Sequence, residues 1–196
     1  MPDAEGEALY EVGLTGAERG PLLEIGSYCG KSTIYLGAAA RERGTVLYSI
    51  DHHRGSEEHQ PGEEFHNPRL VDPETGEIDT LPTFRRTISR AGLDDVVIGI
   101  VARSEVVAST WGTSLGLVLV DGSHSEESAR RDYEGWAGHV VTGGLLAMHD
   151  VFEDPTEGGQ APFGLYVRAL RSGAFVEETA VESLRVLRRI DDGSAH

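Results

Sequence analysis

The chain has 196 residues, enough for one domain with a full core, and its 17 Lys+Arg against 33 Asp+Glu give a net charge of −16. A surface that negative repels nucleic acid and anionic membranes, and no apolar run approaches the roughly 20 residues of a membrane span. Cys29 is the sole cysteine, which leaves no internal disulfide, and the acidic opening Met1-Pro2-Asp3-Ala4-Glu5 is unlike a secretory signal, so the expected location is cytoplasmic.

Apolar runs alternate with helical patterns along the chain. Strands are expected near 21–26, 45–51, 96–102, 115–121 and 144–150, and helices near 31–43, 80–91, 104–110, 125–140 and 162–172. The helix after the fourth strand has the clearest signature. Ser123-x-x-Glu126 reads as a capping box, and Ala129, Tyr133, Trp136 and Val140 recur on one face. Strands alternating with helices predict a Rossmann-like, doubly wound α/β domain over 1–196, its sheet mostly parallel and covered on both sides. Residues 174–190 hold two β-rich stretches without a helix between them, which predicts an antiparallel C-terminal hairpin.

The first strand runs into the most informative segment, Leu22-Leu23-Glu24-Ile25-Gly26-Ser27-Tyr28-Cys29-Gly30-Lys31-Ser32. Gly26 and Gly30 are separated by one residue too few for a phosphate loop, and the middle glycine of a dinucleotide loop is missing. Glu24 repels phosphate but suits a ligand carrying an ammonium or sulfonium group. The second strand closes on Asp51, a carboxylate placed to accept hydrogen bonds from ribose hydroxyls.

Residues 52–79 break the rhythm, being polar and carrying His52, His53, His59 and His66. A loop this long, starting at the carboxyl end of a strand, reads as a substrate lid or as a solvated insertion. Its acidic and histidine side chains can bond sugar hydroxyls, and Phe65 can stack on a ring face.

A second constellation lies at the tips of the fourth and fifth strands. Asp121-Gly122-Ser123-His124 ends one, and His149-Asp150 ends the other. Two carboxylates from neighbouring strands suit a hard cation such as Mg²⁺, which would acidify an acceptor hydroxyl for a nearby histidine base; the alternative is a pair of helix caps.

The glycine turn followed by an acidic strand end resembles motifs I and II of class I S-adenosylmethionine (SAM) methyltransferases. Asp-Gly-x-His, a helix ending in Trp136, Gly143-Gly144 and then His149-Asp150 is similar to the metal-dependent catechol and sugar O-methyltransferases, over roughly residues 20–190. The resemblance implies cofactor contacts at Glu24, Gly26, Ser27, Gly30, Ser32, Asp51, Ser104 and Asp121. It further implies Mg²⁺ or another divalent cation on Asp121, His149 and Asp150, with His124 and His149 as candidate bases. His149 departs from the family, whose members have an acid there. Asp51-His52-His53-Arg54-Gly55-Ser56-Glu57-Glu58 resembles mycobacterial 1-O-methyltransferases that cap methylmannose oligosaccharides, implying a mannoside 1-OH as acceptor.

The expected activity is metal-assisted methyl transfer from SAM to a hydroxyl of a small molecule or oligosaccharide, with a homodimer as a compatible assembly. Two alternatives stand beside it. One is a phosphate-loop kinase using Lys31 and Ser32; the other is a nucleoside-binding sensor without catalysis.

Overall fold

The computed structural model describes residues 1–190 except 57–58, 61, 64–65 and 123–124. Its described elements, in chain order, are α1 (Asp3–Ala17), β1 (Leu22–Ile25), α2 (Lys31–Arg43), β2 (Leu47–Asp51), α3 (Leu81–Arg90), β3 (Val97–Val101) and α4 (Ser104–Ala108). After these come β4 (Leu115–Val120), α5 (Glu126–Trp136), β5 (Val140–Met148), α6 (Ala161–Arg171), β6 (Phe175–Val181) and β7 (Leu184–Arg189). The seven strands form one sheet in the order β3-β2-β1-β4-β5-β7-β6. The first five are mutually parallel, and β7 pairs antiparallel with both β5 and β6. The doubly wound sheet and its antiparallel C-terminal hairpin are therefore as expected.

Strand alternation builds the two cores. Leu117 and Leu119 of β4 pack with Leu9 and Val12 of α1 and Leu36 and Ala39 of α2. Val118 and Val120 of the same strand pack on the other side, with Tyr133 and Trp136 of α5 and Leu165 of α6. Every residue of β4 is buried, as a central parallel strand covered on both faces requires.

No clear sequence signal marks α1, and the reason is visible in its packing. Gly6, Gly13 and Gly16 weaken the helical pattern, yet all three sit at close approaches. A Cβ on Gly6 would fall 2.3 Å from the Tyr35 ring, one on Gly13 2.9 Å from Ala39 Cβ, and one on Gly16 2.6 Å from Leu117 Cβ. Propensity is given up here so that α1 can lie close against α2 and β4.

Other boundaries also move. α5 starts at Glu126, capped by Ser125, whose hydroxyl accepts the Ser128 N–H at 3.4 Å. The cap expected at Ser123 lies outside the described residues. That helix ends at Trp136 in a short 3-10 turn, Ala137–His139, and β5 begins at Val140, four residues earlier than the apolar run alone indicated.

The described part of the 52–79 loop is anchored. His53 is buried with Nδ1 2.7 Å from Thr80 Oγ1, Leu70 and Ile78 are buried, and Val71 bridges to Ile78. Phe65 lies outside the described residues. Among those described, no helix is long and apolar enough to cross a membrane.

Candidate active site

The site lies where the strand order reverses, between β1 and β4. The connection after β1 leads to β2 on one side and that after β4 to β5 on the other, which opens a crevice at the carboxyl edge of the sheet. A cleft of about 660 Å³ occupies that edge, within the range of ligand sites.

The turn after β1 forms its floor. Gly26 has φ +88°, and a Cβ there would fall 2.1 Å from the backbone oxygen of Asp121. Only glycine lets the turn lie against the end of β4. Tyr28 also takes a left-handed conformation, φ 47°, held by its N–H donating 2.8 Å to Asp51 Oδ2. Asp51 Oδ1 accepts the His53 N–H at 2.7 Å. The acid at the tip of β2 thus ties the glycine turn to the start of the loop while lining the cleft.

Glu24 behaves differently from its expected role beside a ligand ammonium. It is fully buried behind the turn, and its carboxylate accepts the hydroxyls of Ser32 at 2.9 Å, Ser49 at 2.6 Å and Thr33. Burial pushes its pKa up to about 7, against the lowering effect of those three bonds. Glu24 therefore clasps β1, β2 and α2 together from the inside. Ser32, one of those donors, is likewise turned away from the cleft. Lys31 pairs with Asp3 at 3.5 Å on the surface. Neither residue is arranged as the kinase alternative requires. Gly30 caps α2 with φ +92°. Ser27 is buried, and its hydroxyl has no hydrogen-bond partner among the described residues.

The far wall of the cleft holds Ser104 and Asp132, side by side, the hydroxyl donating to the carboxylate. Burial raises Asp132 to about 6 despite that bond. Asp132 was missed in the sequence, although a signal existed. It shares the apolar stripe of α5 with Ala129, Tyr133 and Trp136, an unusual place for an acid. The loop supplies His52, Arg54, Ser56, His59, Gln60 and Glu77 to the cleft, and the His59 ring stacks on Tyr28 at 4.7 Å between centroids.

Asp121 lines the same cleft and reaches a second group of side chains. Its Oδ1 lies 3.0 Å from His149 Nδ1, and Asp150 Oδ1 lies 3.2 Å from that same nitrogen. Neighbours on a strand ordinarily face opposite ways, but Asp150 takes φ 55°, so the chain turns at the tip of β5 and aims both side chains at one point. The other ring nitrogen, Nε2, is 2.7 Å from Glu5 Oε2 on α1. Glu5 Oε1 accepts the N–H and hydroxyl of Ser183, in the turn between β6 and β7, at 2.8 and 2.6 Å.

Burial alone would lower the pKa of His149, but the Asp121 and Asp150 carboxylates carry it up to about 11. Burial would raise Glu5, and its bonds from Ser183 and His149 hold it below the usual carboxylate range. Both ring nitrogens of His149 face carboxylates, Nε2 that of Glu5 and Nδ1 those of Asp121 and Asp150, which leaves neither turned to an acceptor proton. That arrangement does not suit its expected use as a base. His124, the other histidine expected there, lies outside the described residues.

The ligand set fits a divalent cation. One oxygen each from Asp121 and Asp150 and a nitrogen of His149 lie within 4.8 Å of one another, and Glu5 supplies the outer carboxylate that metal-bound histidines ordinarily use.

Solved structures share this architecture. The O-methyltransferase NovP superposes with a TM-score of 0.72 at 16% identity, over 96% of this chain and 80% of its own. TomG from Streptomyces achromogenes, an O-methyltransferase of tomaymycin synthesis in complex with SAM, gives 0.65 at 14% identity, over 97% and 82%. A Podospora anserina methyltransferase bound to S-adenosylhomocysteine gives 0.62 at 15% identity, over 97% and 83%. Residues 23–151, the stretch from β1 to just past the His149-Asp150 tip, match the model of a methyltransferase domain family, and the chain belongs to that family.

Proposed function

We propose that this protein transfers the methyl group of SAM to a hydroxyl of a small polar acceptor, with a divalent cation held by Asp121, His149 and Asp150. The observation that carries this reading is the double membership of Asp121, which lines the cleft and belongs to the cation cluster. An acceptor oriented at the cluster would therefore sit beside a cofactor lying across the glycine turn.

Several residues support a cofactor lying across the glycine turn. Asp51 keeps acceptor capacity for ribose hydroxyls, and Ser104 with Asp132 offers a buried polar pair to the adenine edge. The buried hydroxyl of Ser27, without a hydrogen-bond partner among the described residues, would be a further contact for the cofactor. Glu24 contributes indirectly by holding the turn in shape. Methyl transfer is an in-line displacement, so fixing donor and acceptor in line supplies much of the rate enhancement. When bound, the cation would polarise the acceptor hydroxyl and lower its pKa. His124, three residues after Asp121, would take the proton, because His149 is committed to the cluster.

A sugar is the acceptor class we favour, with a mannoside 1-OH as the specific candidate. The loop wall is rich in groups that bond hydroxyls, and the loop would act as the lid over the acceptor. Incubation with SAM and a panel of mannosides and catechols, with and without EDTA, tests the reading. Methyl ether formation that EDTA abolishes and added Mg²⁺ or Mn²⁺ restores is expected. SAM binding without turnover on any hydroxyl acceptor would favour a sensor, and full turnover after exhaustive EDTA dialysis would leave the cluster structural.

A further inference from the structure

We propose that Glu5, on α1 and well ahead of the glycine turn, is the positioning residue that decides which nitrogen of His149 faces the cation, and that it thereby biases the site toward Mn²⁺ over Mg²⁺. The proposal rests on the cation reading above.

Hydrogen-bond direction carries the argument. Glu5 is fully buried and spans two groups, with Oε1 on Ser183 and Oε2 on His149 Nε2 at 2.7 Å. An ionised carboxylate only accepts, so Nε2 must carry a hydrogen to meet it. With Nε2–H committed, the lone pair of a neutral ring sits on Nδ1. That atom lies 3.0 Å from Asp121 Oδ1 and 3.2 Å from Asp150 Oδ1. A cation between the two carboxylates thus meets a nitrogen already aimed at it. The paired carboxylate also strengthens the imidazole as a donor.

A nitrogen ligand changes what the site prefers. Mg²⁺ favours oxygen donors and water, whereas imidazole suits the later divalent metals, and Mn²⁺ accepts both kinds. Two acids in place of His149-Asp150 would make the set all oxygen.

Glu5→Gln separates orientation from packing. The Ser183 N–H can only donate, so the carbonyl of the substituted amide must stay on that side and its NH₂ group must face His149. The amide then donates to Nε2, which drives the ring hydrogen to Nδ1 and blocks the ligand atom. Side-chain size is kept.

Calorimetric titration of the full chain with Mn²⁺ and with Mg²⁺, and pulsed EPR of bound Mn²⁺ for ¹⁴N coupling, provide the test. In the wild type, Mn²⁺ should bind more tightly than Mg²⁺ and show directly bound nitrogen. In Glu5→Gln, Mn²⁺ affinity should fall about 10–100-fold, the Mn²⁺/Mg²⁺ preference should narrow and the ¹⁴N signal should disappear, while SAM affinity is retained. Glu5→Asp, which withdraws the carboxylate from Nε2, should act in the same direction and serves if the first variant does not fold. Wild-type nitrogen coupling and metal preference in either folded variant would overturn the role of Glu5. Bound Mn²⁺ without nitrogen coupling in the wild type would overturn it too, yet leave the cation reading standing. A wild type that binds neither cation would remove both.

Discussion

The backbone oxygen of Asp121 occupies the space a side chain on Gly26 would need, so the glycine turn packs directly on the residue that also reaches His149. A Cβ at Gly26 would lie 2.1 Å from that oxygen and would also sit at φ +88°. Gly26→Ala must push the turn away from the end of β4. SAM affinity should drop by at least about tenfold, or 1.4 kcal/mol, with a lower melting temperature. Calorimetry showing wild-type SAM affinity would disprove the coupling.

Asp51 holds two backbone N–H groups, from Tyr28 and His53, as well as facing the cleft. Asp51→Ala therefore removes the acceptor proposed for the ribose and loosens the turn together. Bonds to charged acceptors contribute about 1.5–3 kcal/mol each, so SAM binding should weaken more than tenfold. An unchanged dissociation constant would rule out the cofactor assignment.

The clasp formed by Glu24 makes stability pH-dependent. Burial raises its pKa in the fold from 4.5 to about 7, so the folded state holds the proton more tightly than the unfolded chain does. Its contribution is fully present below pH 4.5 and is lost as pH rises toward 7, by up to about 3 kcal/mol at 1.4 kcal/mol per unit. Chemical denaturation between pH 4.5 and 8 should show wild-type stability declining relative to Glu24→Gln, whose amide does not titrate. Parallel pH profiles for the two proteins would contradict the buried-acid account.

The proton acceptor provides a fourth test. His124→Ala should lower kcat by about 10²–10⁴-fold while SAM affinity holds. His149→Ala should instead weaken cation binding, because it removes the Nδ1 that lies between the Asp121 and Asp150 oxygens. Turnover within a few-fold of wild type in His124→Ala would assign the proton to another group.

What could be read from the residues alone was whatever local spacing dictates. The strand–turn–helix around Gly26, the acid ending β2 at Asp51 and the paired tips at Asp121 and His149-Asp150 each lie in a few consecutive residues, and chain alternation then places all three at one sheet edge. Side-chain direction was decided by the tertiary structure. Glu24 and Ser32 look like cleft residues in sequence, yet packing of α2 on β1 and β2 turns them toward each other in the interior. α1 was hidden because its glycines serve contact with Tyr35 and Leu117 rather than helix propensity, which only the assembled layers reveal. Glu5 and His149 stand 144 positions apart, and no local pattern joins them. The folded sheet brings α1, the tip of β5 and the β6–β7 turn to a single buried point, and there an acid on one helix can settle which nitrogen of a distant histidine is left to bind.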